Sequence, residues 1–216
     1  MILKVYNFGI KGSIMSNYQS VLDIINSSES NTLFTAKDFY NVTNYQNAKL
    51  ILNRMQKAGV LNRLIDGVYY KPKYIKTIDA YASVSPYDFA HKIALIFNWS
   101  ICASGEAALN LFGLSTQISN NYVFESDGPY RQYQINGTIV SFKHTNNKYI
   151  KNMSYKVGSL IQALKYLGKE KINNDVIKKC SSKLSDVEKQ ELLFSLSLVP
   201  VWLTRIIYEI GVYKND

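Results

Sequence analysis

Two cysteines, two histidines and four prolines are all that the 216 residues contain of those types. Cys102 and Cys180 stand alone without a Cys-x-x-Cys spacing, which excludes a zinc ribbon and a disulfide framework and fits a reducing compartment. His91 falls in an amphipathic helical pattern and His144 at the end of a strand-like run, so both are expected to be structural or solvent-facing. No Gly-rich phosphate loop, His-rich metal spacing or Ser-His-Asp framework is present. Ser104-Gly105-Glu106 reads as a helix start, because the Gly-x-Ser-x-Gly frame of a nucleophile elbow is missing. Glu125 and Asp127, two apart on a strand and its turn, fit a solvated strand end better than a metal site. The longest lipophilic stretch, Leu192 to Leu203, carries two serines and Pro200 and falls short of the ~20 residues that span a bilayer. Met1 to Ile14 lack a basic segment followed by a long apolar one, so no signal peptide is expected. Residues 1–15 are expected to be an N-terminal extension, with Met15 as a second candidate start. These absences predict a cytoplasmic protein that is not an enzyme, has no cofactor and no metal, and does not engage a membrane.

What the chain does have is apolar and basic. A hydrophobic fraction of 47% supports packed cores. Seventeen tyrosines suit strands and core edges, where a polar tip stays wet; some are candidates to stack on bases or face a protein partner. The formal charge is +9. Its density is highest in residues 43–76, where seven lysines and arginines face only Asp66. A basic cluster on one compact motif is the electrostatic footprint of a phosphate-binding surface.

No internal repeat or low-complexity tract appears, and three blocks can be read. In the first, Asn17 to Ser27 carries Val21, Leu22, Ile24 and Ile25 as a short amphipathic helix. Thr35 is placed to cap a brief second helix through Tyr40, and Thr43 to cap a third. The third, Asn44 to Ala58, repeats Ala48, Ile51, Leu52 and Met55 at the spacing of one buried face, and Gly59 stops it. Val60 to Leu64 and Val68 to Lys71 flank Asp66-Gly67, a hairpin signal. Residues 74–84 form a linker. The second block opens with Ser85-Pro86, a cap and a first-turn proline. A strand over Ser100 to Ala103 and a helix from Gly105 to Phe112 follow, and residues 122–144 read as a three-strand meander turning at Asp127-Gly128-Pro129 and Asn136-Gly137. From about residue 157 the chain is helical, with a Ser185-x-x-Glu188 capping box.

The expected fold is therefore α+β. A winged helix-turn-helix over 16–76 precedes an α+β domain over 85–216, with a small antiparallel sheet and a helical C-terminal part. With the buried face of the third helix fixed, Gln46, Lys49, Leu50, Asn53, Arg54 and Lys57 fall on or beside its opposite face. Amides pair with adenine, Lys and Arg with guanine or phosphate, and an exposed leucine touches a thymine methyl. A polar solvated face is the alternative for an isolated helix, but three helices followed by a basic hairpin favour double-stranded DNA. Arg63, Lys71 and Lys73 are then candidates for the flanking phosphates, which position without specifying sequence.

The run from Asn53 to Arg63, then Gly67-Val68-Tyr69-Tyr70 and Lys71-Pro72, resembles the winged-helix segment of AbiEi-type antitoxins. Trp99 to Asn110, containing Ser104-Gly105-Glu106-Ala107-Ala108-Leu109-Asn110, and then Leu111-Phe112-Gly113-Leu114-Ser115-Thr116-Gln117, resemble a second motif block of a short branch of that superfamily. The likeness covers about residues 16–150. It implies a bacterial type IV antitoxin, active in phage defence, that represses its own promoter and counters a nucleotidyltransferase-like toxin. A winged-helix regulator whose residues 85–216 bind a ligand or dimerise is the alternative, and a nucleic-acid-modifying enzyme using residues 85–150 is a third.

Overall fold

A computed structural model describes residues 16–146 and 148–213; the expected N-terminal extension over 1–15 lies outside the described residues. The chain divides into two compact units, Met1–Ala82 and Ser83–Asp216. Together they are a mixture of helices and small, mainly antiparallel sheets, with helices alone at the C-terminal end.

The first unit begins with α1, Asn17–Ser27, whose first turn is capped by the Ser16 side chain. The brief second helix expected from Thr35 through Tyr40 is a single 3-10 turn, Ala36–Phe39, with Thr35 and Tyr40 as its caps. The Asp38 carboxylate accepts both the Thr35 N–H at 2.6 Å and the Thr35 hydroxyl at 3.0 Å, which tightens the turn. Helix α2, Tyr45–Lys57, is capped by Asn44, whose side chain accepts the Asn47 N–H at 2.9 Å. The expected cap, Thr43, instead accepts from the side chains of Asn17 and Asn47. At the far end Gly59 adopts φ +75°, and the Val60 N–H returns to the Met55 carbonyl at 2.9 Å.

Three short strands complete this part: β1 (Leu33–Phe34), β2 (Asn62–Ile65) and β3 (Val68–Tyr70). They lie in the order β1-β3-β2, all antiparallel, with Asp66-Gly67 turning β2 into β3. Sequence pattern missed β1, because two residues are too few to show alternation. Val21, Ile25, Phe39, Ala48, Leu52, Met55 and Leu61 are wholly buried in one core, so the apolar stripe of α2 faces inward as its period requires. The segment expected as a plain linker holds a further small hairpin, β4 (Tyr74–Ile75) with β5 (Ala80–Tyr81).

The second unit opens with α3, Pro86–Phe97, capped by Ser85. Strand β6 (Ile101–Ser104), helix α4 (Gly105–Leu111), and strands β7 (Asn121–Ser126), β8 (Arg131–Ile135) and β9 (Thr138–His144) follow. The expected meander does not form. The sheet order is β6-β7-β9-β8, with β9 inserted between β7 and β8 and parallel to β7. The loop from Asp127 to Tyr130 therefore crosses above the end of β9 instead of turning back onto a neighbour.

One face of the sheet carries Phe124, Phe142 and Tyr133, packed against Tyr87, Phe89 and Trp99 from α3 and the segment after it. Helices α5 (Lys148–Asn152) and α6 (Tyr155–Leu167) come next, and α6 packs on β6 and α4. The chain ends in α7 (Asn174–Ser182), α8 (Asp186–Phe194) and α9 (Val201–Val212). The Ser185/Glu188 capping box opens α8.

Candidate nucleic-acid interface

Helix α2 is rigid from end to end: a side-chain cap at Asn44, a left-handed stop at Gly59 and four wholly or nearly buried residues between them. Its outward stripe, Gln46, Leu50, Asn53 and Lys57, repeats at four, three and four residues, one straight line along a 3.6-residue helix. Lys49 and Arg54 flank the stripe. Among the described residues, the side chains of Gln46, Asn53, Arg54 and Lys57 make no hydrogen bond or ion pair within the chain. Leu50 is 58% exposed in the middle of the stripe.

Two exposed tyrosines that residue pattern did not single out extend this surface. The Tyr40 and Tyr45 rings lie 6.2 Å apart, and the Lys49 ammonium sits 5.8 Å from the centre of the Tyr45 ring. A helical wheel places Tyr45 at the edge of the buried face, so only the packing of the preceding turn reveals that it points to solvent. On the hairpin, the Arg63 guanidinium lies 5.6 Å from the centre of the Tyr69 ring and 3.2 Å from the Asp66 carboxylate. These contacts hold the guanidinium beside the turn while leaving it exposed. Lys73 is exposed just before β4.

Lys71, a candidate phosphate contact, is engaged within the chain through its ammonium. Its ammonium donates to the carbonyls of Asn26 at 2.8 Å and Ser28 at 2.7 Å, closing the C-terminal end of α1. A cation at that end meets the negative pole of the helix and satisfies carbonyls the helix leaves open. Two of its three donors are thus engaged within the chain. Lys71→Met is expected to lower the stability of the first unit by about 1 kcal/mol while leaving the salt dependence of DNA binding unchanged. A thermal melt alongside a salt titration separates the two effects, and a shallower salt dependence would return Lys71 to the interface.

The remaining candidates lie in the second unit and are held structurally. The Ser115 hydroxyl donates to Glu106, and the Asn110 amide donates to the Gln117 carbonyl at 2.8 Å. The Gly-Glu-Ala-Ala-Leu-Asn and Leu-Ser-Thr-Gln segments are thus two halves of one staple that ties the loop after α4 to its helix. Glu125 accepts from Gln162 at 2.7 Å, while Asp127 accepts the Ser100 N–H at 2.9 Å, so the two carboxylates serve different neighbours. Burial pushes both thiols up, Cys180 to about 12, which disfavours the reactive thiolate. His91 lies 4.2 Å from the Tyr155 ring, and burial pulls its pKa down against the pull of Asp88. The Nδ1–H of His144 donates to the Gly128 carbonyl at 2.9 Å. Among the described residues, no group of three or more His, Cys, Asp or Glu side chains is placed to hold a metal ion, and no helix is long and apolar enough to cross a membrane.

Residues 20–192, most of the chain, match a protein-family model. The chain belongs to DUF6088, a family of unknown function. The DUF6088 match runs from within α1 to within α8, and so takes in α2, the β2–β3 hairpin and the whole of the second unit's sheet. Its description assigns no activity and does not mention the antitoxins that the motifs resemble. No curated protein matches the chain.

Proposed function

We propose that the first unit is a winged helix-turn-helix that binds double-stranded DNA, with α2 in the major groove and the β2–β3 hairpin as the wing on the flanking backbone. The observation that carries this reading is the stripe of Gln46, Leu50, Asn53 and Lys57. It is ordered by the core beneath it and unused within the chain. A groove-reading face uses both amides and a methyl-contacting aliphatic, and this stripe presents them in one line. Element order supports the same reading, since a helix, a strand, a turn, a helix and a hairpin follow one another with β1 paired to the return strand of the wing. Phosphate contacts fall to Arg63 and Lys73, with Lys49, Arg54 and Lys57 available for bases or backbone.

On the resemblance set out above, the duplex is the chain's own promoter, and the protein is a cytoplasmic antitoxin and autorepressor opposing a nucleotidyltransferase-like toxin. The second unit then acts by binding and not by catalysis, which suits carboxylates already engaged in structural bonds. Co-expression with the neighbouring gene, scored for rescue of growth, tests the antitoxin role separately from DNA binding.

The DNA-binding reading is tested by titrating the full chain against its upstream duplex and a scrambled one at several salt concentrations. Arg63→Ala or Lys73→Ala is expected to weaken binding to both duplexes and to lower the slope of log K against log salt by roughly one unit each. Salt-insensitive binding, equal for wild type and variants, would make the basic cluster a solvated surface and the module a protein-interaction domain.

A further inference from the structure

The sheet of the second unit has two edges, and they are treated differently. At the β6 edge, the outward Ala103 N–H is taken by the Ser159 hydroxyl of α6 at 2.8 Å, in a buried contact. Strand β8 forms the other edge. It joins β9 through Asn136-Gly137, both at positive φ (+46° and +80°), a two-residue turn whose flanking pair Ile135 and Thr138 is hydrogen-bonded. Antiparallel alternation then makes Tyr133 and Arg131 the other bonded residues and turns the backbone N–H and C=O of Gln132 and Gln134 away from β9. Both glutamines are exposed. Among the described residues, no group bonds to their outward backbone.

An open edge of this kind is normally blunted by a charge, a proline or a covering element. Here the outward residues are neutral. Arg131 lies over the rings of Phe97 and Trp99 at 4.5 and 5.7 Å from their centres, on the face packed by α3, and the exposed Lys143 of β9 stands diagonal to Gln132 on the other face. Exposed Tyr130 precedes Arg131. We infer that the β8 edge is the site at which a second copy of this chain adds, antiparallel, to continue the sheet across a two-fold axis.

The pattern of the edge favours a second copy over another partner. With the axis at Tyr133, Gln132 of each copy falls opposite Gln134 of the other, at the hydrogen-bonded spacing. Each outward N–H then finds a carbonyl, and no like charges meet. This isologous match requires one neutral strand with its outward groups placed symmetrically about a central residue, and β8 is such a strand. The inference concerns the second unit alone and stands or falls independently of DNA binding.

Sedimentation velocity of the full chain over a range of concentrations tests it, with two double variants at these exposed positions. Wild type is expected to show a reversible monomer–dimer equilibrium. Q132K/Q134K sets like charges opposite each other in both pairs and should raise the dimer dissociation constant about 10-fold or more. Q132E/Q134K sets opposite charges across the same pairs and should restore the constant to within about threefold of wild type. Hydrogen exchange at the Gln132 and Gln134 amides should slow as wild-type concentration rises, a readout that needs no variant. Any of three results overturns the inference: a wild type that stays monomeric to about 100 μM, a dimer indifferent to the paired lysines, or two double variants equally weakened.

Discussion

Asn53→Ala is expected to weaken binding to the cognate duplex by about 5- to 150-fold, or ~1–3 kcal/mol, and to leave binding to a scrambled duplex nearly unchanged. Among the outward residues of α2, Asn53 is half-buried while Gln46 is exposed. The short side chain of Asn53 has few rotamers to lose on binding. Gln46 has one more rotatable bond, so Gln46→Ala should cost less, since ordering the longer amide offsets part of its hydrogen bonding. The two amides are separated by about 10 Å along the helix axis, enough to address different base pairs, with Leu50 between them. Competition binding against the two duplexes at one salt concentration measures the effect. A uniform loss on both duplexes would move Asn53 from base reading to backbone contact. No loss on either would remove α2 from the groove.

The placements of the residues proposed for those two roles, base reading and phosphate holding, were legible in the sequence to different degrees. The inward stripe of α2 was legible because Ala48, Ile51, Leu52 and Met55 leave only one face to bury, and fixing that face fixes the opposite one. Asp66-Gly67 and Asn136-Gly137 were legible because positive φ at a turn restricts the residue choice to few types; Gly67 sits at +77°. Lys71 was not. A lysine after a hairpin looks the same whether it faces a phosphate or the end of a helix more than forty residues earlier, and only folding brings the Asn26 and Ser28 carbonyls to it. Lys73, two residues on, remains exposed, so alternate residues of one segment divide into a structural and a free cation.

The sheet of the second unit shows a different limit. Its strands were placed to within a residue or two, yet their order was not. Turn chemistry records that a chain changes direction; it does not record which strand the chain then joins. Asp127-Gly128-Pro129 satisfies the requirements of a tight turn, but here it carries the chain over β9, and nothing local to those residues distinguishes the two outcomes. Gly128 is the residue that makes the crossing possible.

Gly128→Ala is accordingly expected to destabilise the second unit by about 1–3 kcal/mol, the usual cost of forcing extra volume into a packed site. A Cβ at this position would lie 2.2 to 2.5 Å from atoms of the Trp99 indole, well inside contact distance. The indole cannot easily retreat, because it is stacked on Phe97 at 4.8 Å and set edge-on to Phe142 at 5.6 Å. Nor can the loop: the Gly128 N–H donates to the buried Ser126 hydroxyl at 2.9 Å, its carbonyl accepts from His144, and the Asp127 N–H donates to the Ser100 carbonyl at 3.2 Å. Gly128 is outside the left-handed region, so the penalty is steric and not conformational. Reduced unfolded-state freedom would by itself favour alanine by about 0.4–1 kcal/mol, which makes a net loss diagnostic of the close approach. In a Trp99→Leu background, where the ring is gone, the same substitution should cost less, and the difference between the two backgrounds measures the contact. Thermal melts of the four chains supply the cycle. A Gly128→Ala protein as stable as wild type would mean that the loop does not pass against the indole as described.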